Sequence, residues 1–474
     1  MRAVLRPFLP LAVLVFSWSL PALADDAPGR SPSEEALRAD LEREKHAREA
    51  LEKRVNQLVQ LSGFVHLDWV VHRETSQDEL TQDGQPLNED RFTIRRARLR
   101  GEKDLGNFHG VVEVDANTTS GLQVRPIDAE ATLKWPAQQA YARAPWAIDP
   151  TGATKQVSGD GTIAPSAPLT TYDGPWFMVT AGLFRTPFGF EVQEPERLRP
   201  FLERSTMSNA LFPQSFDLGL RVLGGYRMAR WSFAVMNGDP IGEKNFPGRD
   251  PNKSKDLVFR LGAASELLPG IRLEGGVSGL TGQGFHKGSP ATADQIQWQD
   301  QNTDGNVNAI GEITVVPGSP AIPSQNYKRF AVGADLRASV AIPVLGDLDL
   351  RAEIVRSSNL DRGLLPSDPI TATRDQRQTG VYFGVTQELT KWALVGVRWD
   401  TYNPDSDARE QEPFALVPRD PSVTTWAFNV TGRWGPARLV AQYDKRSNTS
   451  GRDANGRPTT LADDSLTLRA EVRF

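Results

Sequence analysis

Arg96, Arg98 and Arg100 occupy alternate positions in one short segment, and they are the first chemistry the sequence offers. In an extended strand they project to one face, with Ala97 and Leu99 on the other. Lys134 falls on the same presumed face of a later segment, and Arg185, Arg197, Arg199 and Arg204 gather in the stretch 185–217. Cationic side chains lining one wall attract anions where nearby acids leave them uncompensated. Acids are close at hand: Glu113 and Asp115 in the next segment, and Glu191, Glu194, Glu196, Glu203 and Asp217 in the same stretch. An anion path and a set of ion pairs are both open readings of these residues. A second constellation, Asp300, Asn302, Asp304 and Gly305, sets hard oxygen donors at spacing two, as at the start of a calcium loop. Its closing acid is Glu312, one residue late, and a polar turn rich in Asp, Asn and Gly is the plainer account.

Other chemistries have little to work with. The 474 residues contain no cysteine, which removes thiol nucleophiles, disulfides and cysteine-based metal sites. The five histidines are scattered, and His66, His72, His109 and His286 have no recognisable serine or acid motif beside them, so no enzyme activity is expected. Apart from calcium in 280–329, no cofactor is expected. The formal charge of −5 runs against a nucleic-acid partner.

The elements that must position the arginines change character along the chain. Residues 1–24 read as a cleaved secretory signal: Arg2 and Arg6, an apolar run from Leu9 to Leu20, then Ala22-Leu23-Ala24. Residues 33–60 lack glycine and proline and are rich in helix formers. Leu37, Leu41, Glu44, Arg48, Leu51, Val55 and Leu58 alternate at spacings of four and three. That is the period of a coiled-coil seam, on a rod roughly 42 Å long that would self-associate.

From residue 62 the period falls to two. Val65, Leu67 and Trp69 alternate with His66 and Asp68, and Leu348, Leu350, Ala352 and Ile354 alternate with Asp347, Asp349, Arg351 and Glu353. Sixteen such segments run from 65–71 to 466–474, separated mostly by alternating long and short gaps. Lipid on one face and water on the other produce that alternation, and long loops at one rim with tight turns at the other produce that rhythm. The expected fold is all-β: a sixteen-stranded antiparallel transmembrane β-barrel over 62–474, preceded by the coiled-coil helix. The gap 136–175 breaks the rhythm, being long where a short turn belongs, and 117–126 is counted among the long gaps. Aromatics such as Trp135, Trp176, Trp399 and Trp426 fall at segment ends, where interfacial girdles belong, and the chain ends on Phe474.

Two stretches go further. The run from Phe92 to Gly101 resembles the arginine-rich early strand of the phosphate-selective porin family, and Thr180–Phe190 followed by Phe201-Leu202-Glu203-Arg204-Ser205 is similar to that family's loop-entry motif. The resemblance implies a homotrimeric sixteen-stranded porin in the outer membrane of a Gram-negative bacterium. Its expected partners are further copies of itself, lipid and lipopolysaccharide, and small anions, with phosphate or polyphosphate as cargo. A weakly selective diffusion pore, or a barrel displaying adhesive loops, remains the alternative.

Overall fold

A computed structural model of the chain describes residues 41–45, 59–73, 90–119, 121–137, 174–239, 250, 252–300, 303, 305, 311–412, 415–449, 451–452, 458–461 and 463–474. The chain divides into two units, Met1–Gln57 and Leu58–Phe474. Of the first, only 41–45 is described, and it is helical. The signal segment 1–24 and most of the expected helix 33–60 lie outside the described residues. One boundary is corrected: Gln60, expected in the helix, is strand and pairs with Glu102.

The second unit is a closed barrel. Among the described residues its strands, in chain order, are β1 (Gln60–His72), β2 (Arg91–Leu105), β3 (Phe108–Asn117), β4 (Gln123–Trp135), β5 (Trp176–Arg185), β6 (Phe216–Tyr226), β7 (Ala229–Met236) and β8 (Asp256–Leu268). They continue as β9 (Ile271–His286), β10 (Gln325–Ile342), β11 (Gly346–Ser358), β12 (Arg377–Thr390), β13 (Ala393–Asn403), β14 (Val423–Trp434), β15 (Ala437–Ser447) and β16 (Ser465–Arg473). Each pairs antiparallel with its neighbours in sequence, and β16 returns to β1, so no wall strand keeps an unpaired edge. Phe474 completes the seam by exchanging backbone hydrogen bonds with Gly63 at 2.8 and 3.0 Å. All sixteen expected segments are strands of this barrel.

Side chains follow the period-two pattern. Val65, Leu67 and Trp69 point out and are exposed, while His66 and Asp68 point in and are buried. Phe259 and Leu261 likewise face out around the fully buried Arg260. The loop rim carries long connections, several with their own two-stranded hairpins, such as 295–298 with 313–316 and 409–412 with 415–418. The opposite rim is closed by residues such as 106–107, 269–270 and 435–436. The gap 136–175 joins β4 and β5, which pair directly, so it is an insertion on the short-turn rim. The gap 117–126 is corrected: pairing of β3 with β4 extends from Phe108–Leu133 to Asn117–Gln123, leaving a connection of only 118–122.

Closure at Gly63 leaves no room for a side chain. A Cβ there would stand 2.5 Å from the Arg98 carbonyl oxygen and 2.5 Å from the Phe474 ring. The wild-type barrel is expected to show heat-modifiable migration in detergent gels. Gly63→Val, an overpacked seam costing about 1–3 kcal/mol, should lower the folded fraction. Equal folded fractions for wild type and variant would show that the seam tolerates the added volume.

Candidate functional site

Loop 186–215 leaves the wall after β5 and re-enters at β6, its neck closed by the Thr186 N–H donating to the Ser215 carbonyl at 2.7 Å. It has internal order of its own. Glu191 accepts from the Ser205 N–H at 2.9 Å and from its hydroxyl at 2.6 Å, and Gln193 donates to the Gly189 carbonyl at 2.6 Å. Ser205 also caps the short helix α1 (Thr206–Leu211) by accepting from the Ser208 N–H. Gly189 has φ +59°, and a Cβ there would strike the Glu353 carboxylate, so glycine is required where the loop meets β11.

The loop crosses the lumen. The Thr206 N–H donates to Asp400 on β13 at 3.1 Å, and β13 stands eight strands from β5 in a ring of sixteen, on the opposite wall. One side of the loop is apolar: Phe188, Val192, Met207 and Leu211 pack with the inward-facing Met236, Val258, Val355 and Tyr402. The other side is held by charge. Glu203 receives Arg95 at 2.9 Å, Arg96 at 2.9 Å and Arg469 at 3.0 Å. Glu196 receives Arg98 at 2.5 Å together with Arg185. Arg98 also meets Asp115 at 3.0 Å, and Arg469 meets Asp68 at 2.7 Å. Arg438 donates to the Arg199 carbonyl and pairs with Glu471 at 2.6 Å.

Arg96, Arg98 and Arg100 do share the lumen face, as their spacing implies. Arg95 joins them because of a β-bulge: His66 pairs with Arg96 and Leu67 with Ile94, so Arg95 is the extra residue and turns to Glu203. A strict period of two would send Arg95 to the lipid side, and no residue type in the segment announces the bulge. Arg100 lies further toward the short-turn rim, against Glu102 at 2.8 Å and Glu113 at 3.2 Å. Lys134 sits near that rim too, clamped by Asp104 and remote in chain position from the loop contacts.

The loop arginines divide. Arg185 belongs to the Glu196 cluster. Arg199 is buried and donates to the Glu194 carbonyl at 2.9 Å, with Glu196 at 3.8 Å. Arg204 is buried and donates to the Phe212 and Pro213 carbonyls at 2.7 and 3.2 Å. Both therefore fasten the loop's own backbone. Arg197 is half-buried, and its carbonyl accepts from Arg473. Of the calcium-loop residues, Asp300 accepts from the Gly305 N–H at 2.9 Å and Glu312 is buried, while Asn302 and Asp304 lie outside the described residues. Among the described residues, no three His, Asp or Glu side chains gather as metal ligands. The barrel histidines lie beside carboxylates: His66 with Glu471, His72 with Asp90, His109 with Asp104, His286 with Asp368.

Burial alone pushes the Glu196 carboxyl up, but Arg185, Arg98, Arg199 and Arg96 outweigh it and hold the group well below the usual carboxylate range. Glu203 is held down in the same way, burial being overcome by Arg95, Arg96 and Arg469. The Glu196 pairs with Arg98 and Arg185 are buried, and removing one partner from such a pair typically costs about 3–5 kcal/mol, because the other charge is left uncompensated. A carboxyl depressed by folding contributes its stability above the unfolded pKa, about 4.3 for Glu, and loses it only as pH falls toward the lower folded value. Amide-exchange protection of Leu202–Ser205 should therefore stay constant from about pH 7 to about pH 5. Loss of protection centred above pH 5 would contradict the ion-pair account.

No protein-family model matches the chain, and no curated protein matches it in sequence. Solved structures do match in fold. OprB of Pseudomonas putida aligns with a TM-score of 0.50 at 10% identity, over 89% of this chain and 96% of that one. The outer membrane channel DcaP of Acinetobacter baumannii aligns at 0.45 and 12% identity, over 88% and 97%. An anion-selective porin from Comamonas acidovorans aligns at 0.43 and 11%, over 88% and 98%.

Proposed function

We propose that this chain is a porin of the Gram-negative outer membrane, exported on residues 1–24 and assembled as a homotrimer, through which small anions diffuse passively. Phosphate and polyphosphate are its expected cargo. The observation that carries the reading is a closed barrel with a charged interior, crossed by one loop pinned to the opposite wall. A loop in that position sets the narrowest cross-section, where each fixed charge acts at short range. The arginines of β2 and β16 supply the anion-attracting wall, and the resemblance of 92–101 and 180–190 to phosphate-selective porins supports the choice of cargo.

A second reading, a weakly selective diffusion pore, is favoured by the ion pairs themselves. Arg95, Arg96, Arg98 and Arg469 all face carboxylates, so their fields are largely cancelled at close range.

Planar-bilayer recording under a salt gradient separates the two readings. Discrete channels are expected, with a reversal potential of anionic sign for the first reading and one near zero for the second. Absence of channels would contradict both. Glu203→Gln releases the charges of Arg95 and Arg96 at once, leaving Arg469 with Asp68, and should raise the anion-to-cation permeability ratio about fivefold, equivalent to about 1 kcal/mol. An unmoved reversal potential in that variant would show that the ion path does not pass Glu203.

A further inference from the structure

The outer wall of β11–β13 holds a groove of about 510 Å³ just below the loop rim, overhung by Ser406, Arg419, Asp420 and Ser422 of the connection to β14. Pair registers place its floor residue by residue. Arg356, Thr379 and Asn403 stand directly opposite one another across the three strands, and Ile354, Val381 and Thr401 form the next row toward the barrel middle. All six alternate with inward-facing residues, including the buried Val355, Tyr382 and Tyr402, so they face out toward the membrane. Arg419 and Ser422 of the overhanging connection close the top.

Height and charge together indicate the occupant. One row below Ile354–Val381–Thr401 lie Phe383, Trp399 and Trp426, paired across β12, β13 and β14. Such aromatics mark the edge of the hydrocarbon. Thr379 is four residues above Phe383, about 13 Å along the strand and about 10 Å along the membrane normal at a tilt near 40°. That is the level of lipid headgroups. Among the described residues, neither the Arg356 nor the Arg419 guanidinium has a carboxylate at ion-pair distance. The acid lining the groove, Asp420, is engaged by Asn403 at 3.2 Å and by the Ser422 N–H at 3.1 Å. Two unmatched guanidinium groups above an apolar strip form a headgroup site with an acyl-chain track beneath it.

We propose that this groove binds a phosphorylated lipid of the outer leaflet, lipopolysaccharide, with its phosphate between Arg356 and Arg419, its sugar backbone over Ile354 and Val381, and its acyl chains descending past Phe383 and Trp399. The volume is within the range of ordinary small-ligand sites. The inference rests on the outer-membrane placement proposed above, and not on the pore's selectivity.

The test uses the full chain in detergent, with bisphosphorylated lipid A as probe and native mass spectrometry as readout. Arg356→Ala with Arg419→Ala should remove one bound lipid per protomer or weaken it at least tenfold, and Thr379→Trp, which fills the groove while sparing both arginines, should do the same. Dephosphorylated lipid A should bind at least tenfold more weakly to the wild type, and millimolar inorganic phosphate should not displace the intact lipid. Full retention of lipid by both variants overturns the proposal, as does equal binding of the dephosphorylated lipid. Displacement by inorganic phosphate would make this a free-anion site, and loss of trimer in both variants would make it a subunit contact; each overturns the lipid assignment. Heat-modifiable migration of each sample shows that its barrel is folded. A folded wild type that binds no lipid fails this inference alone, whereas a chain without that migration fails the membrane placement.

Discussion

Charge compensation between a loop and the wall it must reach is the constraint on which the interior depends. The lumen face of β1, β2 and β16 carries Arg95, Arg96, Arg98 and Arg469, packed where water has limited access. Like charges this close repel strongly in a medium of low dielectric constant, so they persist only with acids among them. Asp68 and Asp115 of the wall provide part of that compensation, and the rest comes from Glu196 and Glu203 of loop 186–215. The loop is thus both the obstruction in the lumen and the counter-charge that stabilises the wall beside it.

The two faces of the loop divide the work. Phe188, Met207 and Leu211 bury apolar surface against β7, β8 and β11, a non-directional contribution that would tolerate sliding. The hydrogen bonds of Gly189 to Ser278, Glu194 to Arg351 and Thr206 to Asp400 fix register on that side. The carboxylate contacts fix it on the other. A loop fastened on opposite walls presents one cross-section to a passing solute, which a loop tethered only at its neck would not.

The barrel was legible because lipid imposes a single rule on every strand: Val65 out and His66 in, Leu261 out and Arg260 in, repeated sixteen times. The face carrying Arg96, Arg98 and Arg100 followed from the same rule. The rule fails where a strand slips by one residue, so Arg95 was missed at its bulge, and a short connection at 118–122 was mistaken for a long one. Whether Arg199 and Arg204 face a passing ion or hold carbonyls was not legible, since it depends on how the loop folds on itself and no periodicity governs an irregular segment. The outward groove beside Arg356 was hidden for a related reason. Arg356 and Arg419 are far apart in the chain, and only the strand register and the overhanging connection bring them together.

The central claim is that loop 186–215 rests across the lumen in this one arrangement. The chain lacks cysteine, so a pair can be introduced without competing thiols. The Thr206 and Thr425 hydroxyls lie 3.3 Å apart, one on the loop and one on β14. Thr206→Cys with Thr425→Cys should form a disulfide under mild oxidation, and single-channel conductance should be the same oxidised and reduced, because the bond only locks a position already occupied. Failure of the pair to form a disulfide, or a large change in conductance when it closes, would show that the loop rests elsewhere.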